Sequence, residues 1–145
     1  MAEEQVKNTM RKFRQALEGK DTEKILSFFT DDATWEAPEG KFGGKAELKR
    51  YVTWLSQMPD LKITESGIKI MAQGDTAVYE HIISGTFEGR KWEVLAMCVY
   101  EFAGDKIKTI RSVNDRLAIA KQTAKGMMAK RAVNAIVNAM EKGLH

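Results

Sequence analysis

The sequence predicts an α+β domain in which a strongly curved, mostly antiparallel sheet carries helices on one face. Three observations point there. Apolar residues in the first third recur at helical spacing, the stretch from Asp60 to Val113 breaks into β-rich runs separated by short turns, and a helical series returns from Leu117. Helices followed by a meander, rather than helices alternating with strands, indicate α+β. The 145 residues suffice for one core. A composition 43% hydrophobic and 30% charged excludes the disordered class, and no apolar run is long enough to span a bilayer.

From Glu3 to Gly19, Val6, Met10, Phe13 and Leu17 define the apolar stripe of a first helix. Asp21 or Thr22 caps a short second helix carrying Ile25, Leu26, Phe28 and Phe29, so the two form a helical hairpin. In DDATWEAPEGKFGG the period changes to two, with Ala33, Trp35 and Ala37 alternating with polar residues until Pro38, Gly40, Gly43 and Gly44 end the strand. GKFGGK is not a phosphate loop: three residues separate Gly40 from Gly44 where four are required, and Ala46 stands where a hydroxyl would meet magnesium. Lys45 to Met58 is a third helix with Leu48, Tyr51, Val52 and Leu55 on one stripe, closed by Pro59.

Strands follow at Leu61 to Ile63, Ile68 to Ala72, Thr76 to Phe87, Lys91 to Phe102 and Ile107 to Val113, with turns at Gly74-Asp75 and Glu88-Gly89. Asn114-Asp115 ends the last strand, and Leu117 to Leu144 is helical with a break at Gly126. A pocket is expected between the curved sheet and the helices.

The formal charge of +3 is unevenly distributed: residues from Arg116 onward carry +5 and the preceding ones −2. A solvated face of an amphipathic helix accounts for the basic tail, and no aromatic-plus-basic pattern points to nucleic acid. The N-terminal MAEEQVKNTM is charged and helical in pattern and reads neither as a signal peptide nor as a membrane segment. The lone Cys98 excludes an internal disulfide, which fits a cytoplasmic protein. His81, His145 and Cys98 offer no metal-ligand spacing, and no serine lies in an elbow motif, so neither a metal nor nucleophilic catalysis is expected.

Together with this element order, LSFFTDDATWEAPEGKFGGKAELKRYV and GDKIKTIRSVNDRLAIAKQ resemble the nuclear transport factor two-like superfamily, and within it the SnoaL-like polyketide cyclase group. The resemblance spans about Val6 to Gln122. It implies a cone-shaped, cystatin-like α+β fold over residues 1–122, with 123–145 as a C-terminal helical extension of the same domain. It also implies a homodimer. The scaffold hosts isomerases, hydrolases, cyclases, dehydratases and non-catalytic binders, so the fold alone selects no activity.

Ketosteroid isomerase, which the front segment resembles, has its general-base Asp just before a proline; that position here is Ala37, and its oxyanion-hole Tyr falls near Phe13. Neither replacement can do that chemistry. Against limonene epoxide hydrolase, His81, Ile83 and Ser112 occupy the places of its Asp-Arg-Asp set, so both carboxylates are missing. In SnoaL-like cyclases an Asp precedes a helix ending in Gln-Leu-Gly. Asp115 and Gln122 match that pattern, with Thr123 where Leu is usual.

Asp115 is therefore the candidate acid/base for cofactor-independent cyclase, isomerase or lyase chemistry on an apolar carbonyl compound, with helix capping as the equal alternative. His81 would assist by relaying a proton if it faces the pocket, and the alternation of Tyr79, His81 and Ile83 against Val78, Glu80 and Ile82 leaves the inward face open. Arg111 either binds an anionic substrate group or forms a structural ion pair. Trp35, Tyr51, Trp54, Tyr79, Trp92, Met97 and Tyr100 are candidates to line a flat apolar pocket, with core packing as the default for each. A non-catalytic ligand-binding domain and a homodimeric assembly module remain alternatives.

Overall fold

The computed structural model describes residues 2–145. The chain runs α1 (Glu3–Gly19), α2 (Thr22–Leu26), β1 (Phe29–Ala37), β2 (Gly40–Gly43), α3 (Gly44–Ser56), β3 (Lys62–Gln73), β4 (Thr76–Phe87), β5 (Arg90–Ala103), β6 (Lys106–Asn114), α4 (Arg116–Thr123) and α5 (Gly126–Met140). The six strands form one open sheet in the order β2-β1-β6-β5-β4-β3. Only β1 and β6 pair in parallel; the other neighbours are antiparallel. The fold is α+β, with α1 packed on β3 and α3 on β1.

Several boundaries differ from those the sequence predicts. Phe28 and Phe29 lie beyond α2, because the Phe28 carbonyl accepts the Ile107 N–H at 2.8 Å and Phe29 pairs with Ile107, which draws this backbone into the sheet. Pairing with β6 thus outweighs the local helical pattern. The glycine cluster continues the sheet instead of ending it: Gly40 to Gly43 fold back on Ala37 to Thr34 as β2. α3 ends at Ser56, and α4 and α5 are separated at Ala124–Lys125, with Gly126 at a φ of 82° opening α5.

The two short runs read as separate strands are one strand, β3. Its register against β4 shifts between Glu65 and Ile70, and Gly67 there has a φ of 53°. Beside this bulge the Glu80 carboxylate accepts the Ile68 N–H at 3.0 Å. A Cβ at Gly67 would come within 2.1 Å of that carboxylate. Gly67→Ala is therefore expected to displace Glu80, break its bond to Ile68 and strain the backbone, costing about 1–2 kcal/mol in a urea unfolding titration.

The core follows the predicted apolar series. Val6, Met10, Phe13 and Leu17 of α1, together with Leu48 and Val52 of α3, pack on the alternating inward residues of the sheet. Along β5 those are Trp92, Val94, Ala96, Cys98, Tyr100 and Phe102. Gln122 holds α4 against this strand: its amide accepts the Glu93 N–H and donates to the Glu93 carbonyl, both at 2.9 Å. α5 buries only Val137, leaving Met127, Met128, Ile136 and Met140 exposed. Among the described residues no helix is long and apolar enough to cross a membrane.

Candidate functional site

Between the sheet and the helices lies a cavity of about 470 Å³. Its walls come from the inward faces of β4, β5 and β6, from Arg14 and Leu17 of α1, from Tyr51, Trp54 and Leu55 of α3, and from Arg116, Ile119, Ala120 and Thr123 of α4. Strand register explains the order of groups along the sheet wall. Tyr79, Cys98 and Ser112 align across three strands, and the next cavity-facing row is His81, Ala96 and Asn114.

The face left open by the alternation in β4 is settled by burial: Tyr79, His81 and Ile83 turn towards the cavity. His81 is 5% exposed, its ring 4.6 Å from that of Tyr79 at a 32° tilt. Burial lowers its pKa from the ordinary 6.5, against a smaller opposing effect of the Tyr79 backbone carbonyl, which favours a protonated ring nitrogen, so the imidazole is neutral at pH 7. Its Nδ1 is closed off from water and has no hydrogen-bond partner, as is Asn114 Oδ1.

Other polar groups at the cavity are engaged with one another. The Tyr51 hydroxyl donates to Glu39 at 2.9 Å, and burial, followed by the nearby carboxylate, raises its pKa. Arg14 donates to the Tyr79 hydroxyl at 3.4 Å and lies 3.8 Å from Glu65, while its Nε is buried without a partner. Ser112 Oγ accepts from Trp35 Nε1 at 2.9 Å and from the Cys98 thiol at 3.2 Å. Burial pushes the Cys98 thiol up to about 11, so it is a packing group and not a thiolate nucleophile.

The depressed pKa of His81 links this site to stability. The unfolded histidine takes up its proton near pH 6.5, whereas the buried one does so only at lower pH. Above the unfolded value both states are neutral and His81 adds no pH dependence. As the pH falls through that value the unfolded state is favoured, until the folded pKa is reached and the effect levels off. Urea midpoints are accordingly expected to drop from about pH 7.5 to about pH 5.5, and His81→Phe, which removes the titrating group, is expected to flatten this drop.

Of the residues singled out in the sequence, Trp35, Tyr51, Trp54, Tyr79, His81, Trp92 and Tyr100 line the cavity together. Three do not. Asp115 is exposed at the N-terminus of α4, where its side chain accepts the Ala118 N–H at 2.9 Å, so of the two alternatives the geometry adopts the cap. Met97 points to the outer face of β5. Arg111 lies on the outer face of β6, its guanidinium 2.9 Å from Glu101, in an exposed ion pair away from the cavity.

Sequence reasoning did not single out Arg14, Glu39, Ala96 or Asn114. For Asn114 a signal was available: the buried Ile110 places Ser112 and Asn114 on the inward face of β6, which sends Arg111, Val113 and Asp115 the other way. Among the described residues no group of three or more His, Cys, Asp or Glu is arranged to hold a metal ion.

This architecture, a six-stranded sheet folded over helices with an aromatic-lined cavity, defines a nuclear transport factor two-like fold. A structure from Silicibacter sp. tm1040, described as a candidate polyketide cyclase, shares it at a TM-score of 0.74 and 16% identity, covering 86% of this chain and 99% of the other. A nuclear transport factor two-like protein from Burkholderia xenovorans matches at a TM-score of 0.70 and 22% identity, over 85% and 98%. A protein of ketosteroid isomerase-like fold from Catenulispora acidiphila, solved with trimethylamine, matches at 0.74 and 15%, over 81% and 93%. Among curated proteins none matches the chain in sequence. Residues 10–110 match the SnoaL-like domain family, and the chain belongs to it.

Proposed function

We propose that the protein binds a flat, mostly apolar carbonyl compound in this cavity and moves a proton on it without a cofactor, using His81 as the base. The observation that carries the reading is His81 itself, a neutral imidazole at the cavity wall whose second ring nitrogen, Nε2, is left to serve as the base because Nδ1 is sealed off. Such a nitrogen can take a proton from the carbon next to a carbonyl. The C–H bond breaks, an N–H bond forms, and the electron pair passes through the new C=C bond to the carbonyl oxygen as an enolate.

Returning the proton to carbon completes an isomerisation or exchange. Where the ligand has a second carbonyl in reach, the enolate carbon closes a ring on it, and the resulting alkoxide recovers the proton from the imidazolium. Donors for the developing oxyanion are available in Arg14 and the Tyr79 hydroxyl beside the imidazole. The Silicibacter neighbour is described as a candidate polyketide cyclase. Asp115 serves this reading as the cap that fixes α4 over the cavity mouth.

The test uses 1-tetralone, a bicyclic aryl ketone with exchangeable α-protons, in heavy water. Binding is expected to shift the NMR signals of His81 and Trp92, and α-proton exchange is expected to outpace that in buffer. Binding without accelerated exchange would leave a ligand-binding protein and remove the base. Absence of binding would sink the ligand reading as well.

A further inference from the structure

We infer that α5 is an interfacial helix that docks the protein on an anionic phospholipid bilayer, its apolar side in the head-group layer and its basic side chains against the lipid phosphates. The inference is independent of the ligand reading above. It starts from the way α5 sits on the domain: Val137 is buried and Val133 half-buried, and the other apolar residues of the helix face solvent. Met128, Ala132, Ala135, Ile136 and Ala139 fall at helical spacing on one exposed side, with Met140 beside them. Met128, Ile136, Met140 and the following Leu144 each expose more than half of their surface. A contiguous exposed apolar strip of this kind marks an interaction site.

Charge selects the occupant. Gly126–Met140 contains no acidic residue, and its polar side carries Lys130, Arg131, Asn134 and Asn138, interrupted only by Met127. Lys125 precedes the helix, and Glu141 and Lys142 follow it. Residues 125–145 thus hold four basic groups and one acidic group, which accounts for the entire +3 of the chain, and the rest balances to zero. Anionic head groups match that charge. A second α5 would bring the same basic set, so pairing two of these helices gains little complementarity.

Helices that are apolar on one side and carry lysine and arginine on the other lie in the plane of a membrane interface, with the long basic side chains reaching up to the head groups. The exposed face is a convex ridge whose bulk comes largely from flexible methionines, which suits a fluid layer. No described helix is long and apolar enough to cross a bilayer, so α5 lies on the surface. It packs on α4, a wall of the cavity, and docking therefore sets the cavity beside a layer in which apolar compounds dissolve.

The experiment sediments the full chain with vesicles of phosphatidylcholine containing about one third phosphatidylglycerol, and with vesicles of phosphatidylcholine alone, at about 0.1 M salt. Binding to the anionic vesicles is expected to be about tenfold tighter or more, and to weaken as salt is raised. Met128→Asp, at a position too exposed to affect the core, and Arg131→Glu are each expected to weaken it about tenfold. Lys12→Glu, which changes the net charge equally from an exposed position on α1, is expected to weaken it less than about threefold. Equal sedimentation with the two kinds of vesicle overturns the inference, as does full binding by Met128→Asp. Equal losses in Arg131→Glu and Lys12→Glu reduce the binding to net charge and overturn it too. Sedimentation velocity without lipid tests the other occupant: a dimer that Met128→Asp separates assigns the face to a second copy and overturns the docking.

Discussion

Phe13→Ala is expected to lower the stability of the protein by about 3–5 kcal/mol, a large part of the 5–15 kcal/mol typical of a whole domain. Phe13 is fully buried, and its ring lies 5.4 Å from Phe29, 5.7 Å from Phe28, 5.9 Å from Trp35 and 6.1 Å from Tyr100. It therefore joins α1 to both ends of the α2–β1 connection and to β5. Alanine removes the ring and leaves a cavity that α1 and β1 cannot both collapse into, since each is held by other buried side chains. Met128→Ala, at a residue 86% exposed, is the contrasting case and should stay within about 0.5 kcal/mol. Equal urea midpoints for the two variants would contradict this account of the core. Trp35 touches Phe13 on one side and lines the cavity on the other, so loosened packing at Phe13 should also weaken ligand binding.

The strength of α1 in the sequence has the same origin. Val6, Met10, Phe13 and Leu17 repeat at helical spacing because they face a single wall, and burial of that stripe decides the element. The strands from Thr76 to Val113 were legible for a similar reason: β5 alternates almost without interruption, and its turns carry glycine at positive φ. Legibility failed where pairing partners distant in sequence decide the backbone. Nothing local to Phe28 and Phe29 announces that β6, almost eighty residues later, will draw them into a parallel pair. The β3 bulge is invisible as well. Gly67 reads as a break, yet the strand continues past it because β4 supplies partners on both sides.

The aromatic lining of the site was legible, since most aromatic residues of the sheet are buried against the core or its cavity, although Met97 and Phe87, both exposed, show that a large apolar residue on a strand can also meet solvent. Its polar chemistry was less so. A regular alternation back from Asp115 puts Arg111, Val113 and Asp115 together, and that much holds; the choice of face does not follow from it. The register shift between Glu101 and Phe102 in the β5–β6 pair and the burial of Ile107 and Ile110 turn Ser112 and Asn114 inward instead. One step along the chain exchanges a solvent-facing carboxylate for a buried carboxamide. The match of Asp115 to the SnoaL-like pattern fixed its place at the head of a helix, which the structure retains, but motif position carries no information about which way the side chain turns.

That exchange leads to the largest functional effect expected of any substitution. If His81 is the base, His81→Ala should slow α-proton exchange of bound 1-tetralone by about 10²–10⁴-fold, the range for losing a positioned general base, while the dissociation constant changes far less. The pH profile separates this from a structural role. The base works only when neutral, so the wild-type rate should fall as the pH drops through the folded pKa of His81, which burial places below 6.5, and stay level above it. His81→Ala should lack that inflection altogether. Asp115→Asn should leave both rate and inflection unchanged within about twofold, because its side chain touches α4 and not the cavity, and should cost little stability, since Asn caps a helix about as well as Asp. The opposite pattern, an intact rate in His81→Ala and a collapsed one in Asp115→Asn, would place the chemistry at the head of α4 and require the Asp115 carboxylate to leave its cap during turnover.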